Sequence, residues 1–396
     1  MAAGLKNVVV LGGSYVGLGA VKELTAALPK SHRVLLVEPH SHFHHLFAFP
    51  RFAILPSHEH KAFIPYSGAF ASAPDPSQHA VIRARAISLT KDHVVLDRDW
   101  QGSNKVPFEF IVVTTGTRLP APGSMEHDEK PPSINYFKTY QEGIKNAKAI
   151  VIVGGGAVGV QMATDLREIY PEKNVTLVHS RDRVMPLYHP KMDQIIRDRF
   201  KELGVNLITG TRAVVPPGGF PNNGTDFELE LKDGRKVPTD LVITATGQIP
   251  NNQFLSTLEP SPDSTLTSPV NGFINVLPTL QFKDPKYPNF FAAGDIADSG
   301  AHKAARPGMG QAKVVADNIL AMIAGGQPTE NINVTPPAIH LSLGLTKNMI
   351  FRNPDTKNGA TEPFVNMKDD GEADMGITRV WERRGVKVNR SEDYHL

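Results

Sequence analysis

The feature that most constrains the fold is a strand–loop–helix unit that occurs twice in the chain. In the second copy, the apolar run AIVIV (Ala149–Val153) is followed by GGGAVG and by helical apolar spacing over 160–170. Gly154, Gly156 and Gly159 therefore have the spacing G-x-G-x-x-G between a buried strand and a helix. Glycines there permit a tight turn, close approach of a pyrophosphate and close helix–strand packing. The alternative is a glycine-rich turn that packs a helix and binds nothing.

The first copy lies near the N-terminus and lacks the middle glycine. A valine-rich run over 6–11 precedes GGSYVG, helical spacing over 16–28, and a second apolar run over 33–37 that is closed by Glu38. A carboxylate at that strand end can accept hydrogen bonds from an adenosine ribose. Ser14 is small, and its hydroxyl can donate to a phosphate. The sequence therefore predicts a second nucleotide loop, formed by Gly12, Gly13, Ser14 and Gly17.

The second unit has no acidic residue at the end of its second strand. The run NVTLVHS places His179 where the first unit has Glu38, and Arg181 and Arg183 follow. Either arginine could pair with a 2′-phosphate, which favours NADPH slightly over NADH. The alternative is that both arginines are only solvated.

A third strand-to-glycine element, NFFAAGDIAD, places Asp295 after a buried strand. Asp295 is suited to bind ribitol hydroxyls near a pyrophosphate, although a helix N-cap or turn aspartate has the same pattern. Two dinucleotide loops indicate two dinucleotides, and hydride transfer between them requires a flavin and a nicotinamide. We therefore predict FAD and NAD(P)H as cofactors.

The chain has no cysteine. This excludes disulfides, thiolate metal sites and relay of electrons through cysteine. Electrons must pass from flavin directly to an acceptor, such as a quinone, an iron or dye complex, or dioxygen. The net charge of +2 gives no indication of a nucleic-acid partner. No apolar run approaches the ~18 residues of a bilayer span, and no signal peptide is visible, so we expect a cytoplasmic protein.

A segment rich in histidine and phenylalanine follows the first unit. His42, His44 and His45 could suggest a metal site, but partner carboxylates or cysteines are not evident, so we predict no metal and a loop packed against flavin. The neighbouring phenylalanines are predicted to be core residues rather than a flavin or quinone wall. They are Phe43, Phe47, Phe49, Phe52 and Phe63.

These motifs occur in the order of two-dinucleotide flavoproteins of glutathione reductase type. The chain most resembles the apoptosis-inducing-factor-like branch that includes ferroptosis suppressor protein (AMID), over about residues 6–318. The resemblance rests on GGSYVG, FHHLFAFPR, KAFIPY, TTGT, YPEKNVTLVHS, ATG and AAGDIAD. We therefore predict an α/β fold with two Rossmann-like dinucleotide-binding domains plus a C-terminal segment over the acceptor side of the flavin. The predicted divisions are an FAD domain at 1–120 and 250–330, an NAD(P)H domain at 121–249, and a C-terminal segment at 331–396.

The resemblance also implies roles for particular residues. Lys303 would face the flavin and stabilise negative charge on it when reduced. Gln161 replaces a glutamate that related enzymes often carry near the nicotinamide; it keeps hydrogen bonding without charge, and a neutral variant is the alternative. The implied FAD contacts are Gly12, Gly13, Ser14, Gly17, Glu38 on the ribose, Arg51, the backbone at Ala84 on the adenine, and Asp295 on the ribitol. NAD(P)H would lie across Gly154, Gly156 and Gly159, with His179 and Arg181 at its adenosine end.

The function predicted from all of this is FAD-dependent NAD(P)H oxidoreduction with a small quinone-like acceptor and no redox cysteines. One alternative is a flavoenzyme of specialised metabolism that oxidises or couples aromatic quinols. Another is a redox-sensing cell-death factor with slow turnover. Acceptor identity, nicotinamide preference, oligomeric state and peripheral contact with an intracellular membrane are left open by the sequence.

Overall fold

The structure is a computed structural model, and it describes residues 4–396. No helix in that range combines the length and apolar character that a bilayer span requires. Seven α-helices lie in it: α1 (Tyr15–Ala27), α2 (Phe49–Phe52), α3 (Lys130–Asn146), α4 (Ala157–Ile169), α5 (Pro190–Leu203), α6 (Ala305–Ile323) and α7 (Ile377–Arg383).

The strands are short and fall into several sheets. In chain order they are β1 (Lys6–Leu11), β2 (His32–Val37), β3 (His42–His44), β4 (Phe63–Pro65), β5 (Ala80–Ile82), β6 (Ala86–Leu89), β7 (His93–Trp100), β8 (Ser103–Pro107), β9 (Phe110–Val113), β10 (Thr117–Arg118), β11 (Ala149–Val153), β12 (Asn174–Val178), β13 (Asn206–Ile208), β14 (Phe227–Glu230), β15 (Lys236–Thr239), β16 (Leu241–Thr244), β17 (Ile249–Pro250), β18 (Ile274–Asn275), β19 (Phe290–Ala292), β20 (Ala297–Asp298), β21 (Ala338–Ser342), β22 (Lys347–Arg352) and β23 (Phe364–Asp369).

The first unit builds a five-stranded parallel sheet in the order β19-β9-β1-β2-β5. Both faces of β1 are buried: Val8 and Val10 pack in one apolar cluster, and Val9 and Leu11 pack in another. Burial on both faces explains why this strand reads as a continuous apolar run. Because β19 joins β9, residues near 290 complete the sheet of the N-terminal unit.

The second unit repeats this design with four parallel strands in the order β13-β12-β11-β16. Helix α4 begins at Ala157, three residues before the apolar pattern predicted its start, because Gly156 already occupies the N-cap position. The two predicted strand–loop–helix units are therefore confirmed. The domain boundaries proposed from the sequence stay a prediction.

One part of the chain differs from the sequence expectation, and two others form elements that the sequence did not predict. The alternating run over 79–99 is typical of antiparallel strands, but β5 (Ala80–Ile82) at its start pairs in parallel with β2, and only β6, β7 and β8 form the antiparallel meander. Helix α3 was not predicted, since it has two prolines in its first turn and few apolar residues overall. The C-terminal segment forms the antiparallel sheet β21-β22-β23 followed by α7.

Candidate active site

A cavity of about 1840 Å³ lies where the carboxyl ends of both parallel sheets meet the C-terminal segment. A pocket for one small molecule measures about 300–1,000 Å³, so this cavity has room for more than one ligand. Nine of the predicted site residues line it: Gly12, Ser14, Glu38, Arg51, Ala84, Gly156, Gln161, Asp295 and Lys303. Six others lie outside its lining: Gly13, Gly17, Gly154, Gly159, His179 and Arg181.

The glycines of the first loop are required by packing of the protein on itself. Gly12 has φ +96°, and a Cβ there would lie 2.8 Å from the Thr114 carbonyl oxygen. A Cβ on Gly17 would overlap the Gly12 carbonyl oxygen. Ser14 is the N-cap of α1 but makes no side-chain capping bond, so its hydroxyl is left to face the cavity. The loop therefore presents the unpaired N–H groups of a helix start and one free hydroxyl to a ligand.

The second loop contains one glycine that packing does not explain. A Cβ on Gly154 would overlap the Ala245 carbonyl oxygen, and a Cβ on Gly159 would overlap the Gly154 carbonyl oxygen. At Gly156 a Cβ would meet no atom within 4 Å. A glycine facing open space at the start of a helix is typical of a backbone that a phosphate approaches closely.

Glu38 is fixed in its charged form at the end of β2. Its Oε2 accepts the Gly13 N–H at 2.5 Å, and its Oε1 accepts the His40 backbone N–H at 2.9 Å and contacts His40 Nδ1 at 2.5 Å. Burial acts to raise the pKa of Glu38, but the hydrogen bonds and charge of His40 and the Gly13 N–H outweigh it and lower the pKa. The carboxylate is thus held ready to accept hydrogen bonds from ribose hydroxyls.

His179 takes the corresponding place in the second unit. Its Nδ1 accepts the Gly155 N–H at 3.0 Å, so the neutral ring carries its proton on Nε2. Burial and the nearby Arg181 lower the pKa of His179, which keeps the ring neutral. Within residues 4–396 that Nε2 is buried and has no hydrogen-bond partner. Arg181 and Arg183 are exposed beside it.

Arg51 is directed at protein groups. It is 1% exposed, and its Nε donates to Asp165 Oδ2 at 2.6 Å. Its Nη2 donates to the Gly344 carbonyl at 2.7 Å, and its Nη1 donates to the Ala373 carbonyl at 3.4 Å. The guanidinium therefore joins the first unit to α4 and to the C-terminal segment, and its implied contact with FAD stays a prediction.

Asp295 and Lys303 lie near each other beyond β19. Burial raises the pKa of Asp295, and the charge of Lys303 partly offsets this. Burial lowers the pKa of Lys303, whose Nζ donates to the Ala297 carbonyl and lies 4.0 Å from the centre of the Phe273 ring. Gln161, at the start of α4, places Nε2 3.8 Å from the sulfur of Met375, so the C-terminal segment reaches the helix that follows the second glycine loop.

The histidine and phenylalanine segment has mixed surroundings. His42 contacts the Leu396 carbonyl oxygen, His44 packs between Phe49 and Phe63, and His45 Nδ1 lies 2.7 Å from the Tyr15 hydroxyl, so the three rings do not converge. Four of the five phenylalanines are buried as predicted: Phe43, Phe49, Phe52 and Phe63.

Phe47 differs from that expectation, because it is 52% exposed and lines the cavity against the ring of Tyr15.

Sequence reasoning also missed four residues on the cavity wall. They are Tyr66, whose hydroxyl donates to the Gly13 carbonyl, and Tyr188, His302 and Met375. Tyr66 lies in the string KAFIPY and could have been found there, whereas the other three belong to no motif.

Comparison with known proteins agrees with this geometry. Residues 6–317 match the family described as pyridine nucleotide-disulphide oxidoreductase. The chain belongs to this family. The predicted α/β fold with two dinucleotide-binding units is therefore confirmed. The chain itself has no cysteine, so no disulfide of its own can take part in its chemistry.

Within the family, the chain is similar to curated proteins over most of its length. It is 34% identical over 404 aligned positions to Fe-regulated protein 8 of Mycosarcoma maydis, covering 97% of this chain and 96% of that protein. It is 32% identical to ferroptosis suppressor protein 1 of Mus musculus, covering 80% of this chain and 81% of that protein. The resemblance stated from the motifs is thus confirmed.

Among solved structures, the sulfide:quinone oxidoreductase of Aquifex aeolicus aligns with a TM-score of 0.72. The alignment covers 98% of this chain and 93% of that one at 18% identity, which is a likeness of fold.

Proposed function

We propose that this chain is an FAD-dependent oxidoreductase that takes electrons from NAD(P)H and passes them directly to a quinone-type acceptor. One observation carries the proposal, namely that residues of both units line the same cavity. The first unit contributes Ser14, Glu38 and Asp295, and the second contributes Gly156 and Gln161. Two dinucleotides held there would meet at their reactive ends, as hydride transfer requires.

The residues present fit FAD at the first loop. Ser14 and the N-terminus of α1 would hold the pyrophosphate, Glu38 the ribose, the backbone at Ala84 the adenine, and Asp295 the ribitol. When bound, the flavin supplies two-electron chemistry between nicotinamide and acceptor. Lys303 is the cation placed to balance negative charge on the reduced cofactor.

The nicotinamide nucleotide would lie on the second loop, across Gly156. We propose a slight preference for NADPH, because the strand end carries the exposed Arg181 and Arg183 and no carboxylate. Hydrogen-bond donors and cations at that place suit a 2′-phosphate, which accepts hydrogen bonds and carries negative charge.

The quinone proposal rests on three considerations. Without cysteine, electrons have no thiol relay and must leave the flavin directly. One protein of the same fold points the same way, since the Aquifex aeolicus enzyme is a sulfide:quinone oxidoreductase. The sheet β21-β22-β23 also lines the cavity, which leaves an acceptor side walled by the C-terminal segment.

The decisive experiment starts with the absorption spectrum of the purified protein, followed by anaerobic titration with NADH and NADPH. We expect a bound flavin that either nucleotide reduces in a stopped-flow instrument. Absence of flavin would overturn the cofactor assignment. A slow reduction with a long-lived charge-transfer complex would favour the redox-sensing alternative.

Acceptors are then screened with a short-chain ubiquinone, an aromatic quinol, ferric citrate and dioxygen. We expect turnover with the quinone to exceed turnover with the other three. Turnover of aromatic quinols without quinone reduction would replace the proposal with the specialised-metabolism alternative. Preference for the ferric complex would identify an iron acceptor instead.

A further inference from the structure

Two residues from distant parts of the chain meet on the cavity wall outside the glycine loops. Tyr188 lies between β12 and α5, and His302 directly precedes Lys303. The Tyr188 hydroxyl oxygen and the His302 Nε2 are 2.9 Å apart, and both residues line the cavity. The pair therefore connects the second unit to the segment of the first unit that follows Gly294 and Asp295.

Packing holds this pair in one position. The Tyr188 ring meets His302 edge to face, with centroids 5.6 Å apart, and meets Phe351 of β22 in the same way at 6.0 Å. The adjoining backbone is fixed by Asn353, whose Oδ1 accepts the His189 N–H at 2.8 Å and whose Nδ2 donates to the Leu187 carbonyl at 3.0 Å. These contacts hold the Tyr188 hydroxyl in a fixed position.

The pair has an unused nitrogen. His302 Nδ1 is buried and has no hydrogen-bond partner within residues 4–396. Burial lowers the pKa of His302 and raises the pKa of Tyr188, so both groups are neutral near neutral pH. When the Tyr188 hydroxyl donates to Nε2, the neutral ring carries its proton on Nδ1. A buried donor without a partner is costly, and an acceptor oxygen that enters beside the ring and displaces the side chains covering Nδ1 would satisfy it.

We infer that Tyr188 and His302 form the proton-donating pair for reduction of a carbonyl oxygen on the acceptor. This inference rests on the proposed quinone-type function, and it adds one catalytic residue, His302, and one positioning residue, Tyr188, that no motif identifies.

The proton balance defines what the pair must supply. A quinone becomes a quinol by gaining two electrons and two protons, and a hydride equivalent from the reduced cofactor supplies two electrons and one proton. The second proton leaves His302 Nδ1 for the quinone oxygen, while the Tyr188 proton moves to His302 Nε2. Water then protonates Nδ1 while the Nε2 proton returns to Tyr188, because the raised pKa of Tyr188 disfavours a phenolate, and the pair regains its starting state. The histidine thus stays neutral throughout.

The test compares Tyr188→Phe and His302→Gln with wild type, using one acceptor that needs protons and one that does not. Loss of a general acid lowers a rate by about 10²-fold or more, and we expect this for quinone reduction. Anaerobic reduction of the flavin by NADPH and turnover with ferricyanide, which takes electrons without protons, should be unchanged. The matched control is Tyr136→Phe, since Tyr136 lies outside the cavity lining and should leave all three rates unchanged.

Two further measurements separate proton donation from simple packing. The wild-type quinone step should show a solvent deuterium isotope effect that both variants lose. The ¹⁵N resonances of the His302 ring, assigned by difference with His302→Gln, should show Nδ1–H in wild type and a changed tautomer in Tyr188→Phe.

Distinct results would overturn the inference and the proposed function. Equal loss of ferricyanide and quinone activity would reduce the pair to a structural role, and full quinone activity in both variants would remove it from catalysis. If wild type itself fails to reduce quinones, the proposed function fails first.

Discussion

The two glycine loops share one design and differ at two positions. In each, the N–H of the second loop residue donates to the side chain that ends the next strand: Gly13 to Glu38 at 2.5 Å, and Gly155 to His179 at 3.0 Å. The first loop thereby holds a buried carboxylate, and the second holds a neutral ring whose remaining N–H is buried. Both loops thus have a hydrogen-bond acceptor at this place. The charge of that acceptor differs between the loops, and we expect it to match the ligand of each loop.

The middle loop position is the second difference. Ser14 and Gly156 both stand at a helix N-cap and line the cavity, and neither is forced by packing, unlike the outer glycines. The comparison therefore separates glycines that the fold needs from the position that faces a ligand. Each of the following substitutions tests one side of that separation.

The largest effect is expected for Gly12→Val, because Gly12 combines φ +96° with a Cβ position 2.8 Å from Thr114. The variant should lose bound flavin completely, as seen in its absorption spectrum. Ser14→Gly should retain flavin. Ser14→Asp separates misfolding from lost binding, since it should also lose flavin by charge repulsion while its circular dichroism stays that of wild type. Normal flavin content in Gly12→Val would make the assignment of the first loop wrong.

A smaller effect is expected for Gly156→Val. The site is open, so the fold should tolerate the side chain, but the pyrophosphate of the nicotinamide nucleotide should be displaced. We expect the KM for NADPH to rise about tenfold, roughly 1.4 kcal/mol, with flavin content and melting temperature unchanged. Gly143→Val is the matched control, because Gly143 also faces open space but lies in α3 outside the cavity. An unchanged KM in Gly156→Val would show that the second loop binds no phosphate.

Glu38→Gln tests the charge at the first strand end. Removing a charged partner of two N–H groups should destabilise the protein by about 1.5–3 kcal/mol in urea unfolding. The sign with pH follows from both partners. The lowered pKa of Glu38 contributes stability to the folded state above pH 4.5. The raised pKa of His40 contributes stability below pH 6.5, and this contribution is lost as the pH rises through the pKa of His40 in the folded protein.

The difference between wild type and Glu38→Gln should therefore be largest between pH 4.5 and 6.5 and should shrink at higher pH. Besides Glu38, the charged groups that act on His40 are Asp128 and Arg85. A difference that is constant with pH would mean that the His40 contact carries no charge.

The smallest effect is expected for His179→Asp, which gives the second unit the carboxylate of the first. Asp should repel a 2′-phosphate and accept a hydrogen bond from a 2′-hydroxyl, so the ratio of kcat/KM for NADPH over NADH should fall about threefold. His179→Asn has similar size without charge and should shift the ratio less. An equal shift in both variants would assign the effect to loss of the histidine N–H.

Much of the site could be predicted because its signals are local. The outer glycines, Glu38 and Asp295 each lie within a short run of sequence whose strand, turn and helix are encoded by apolar spacing and by glycine. Arg51 shows the limit of prediction from local sequence. Its motif was recognised, but its guanidinium pairs with Asp165, 114 residues away, and with carbonyls of the C-terminal segment.

The sequence by itself determined the two nucleotide loops, the parallel strands around them and the absence of thiol chemistry, since these depend on residue type and short-range spacing. The tertiary structure decided which groups face the shared cavity. His179 and Arg181 lie outside the cavity lining, whereas Phe47 is exposed and lines the cavity. Tyr188 contacts His302. Such pairings arise from packing between units far apart in the chain, and no local pattern encodes which distant side chain fills a given contact.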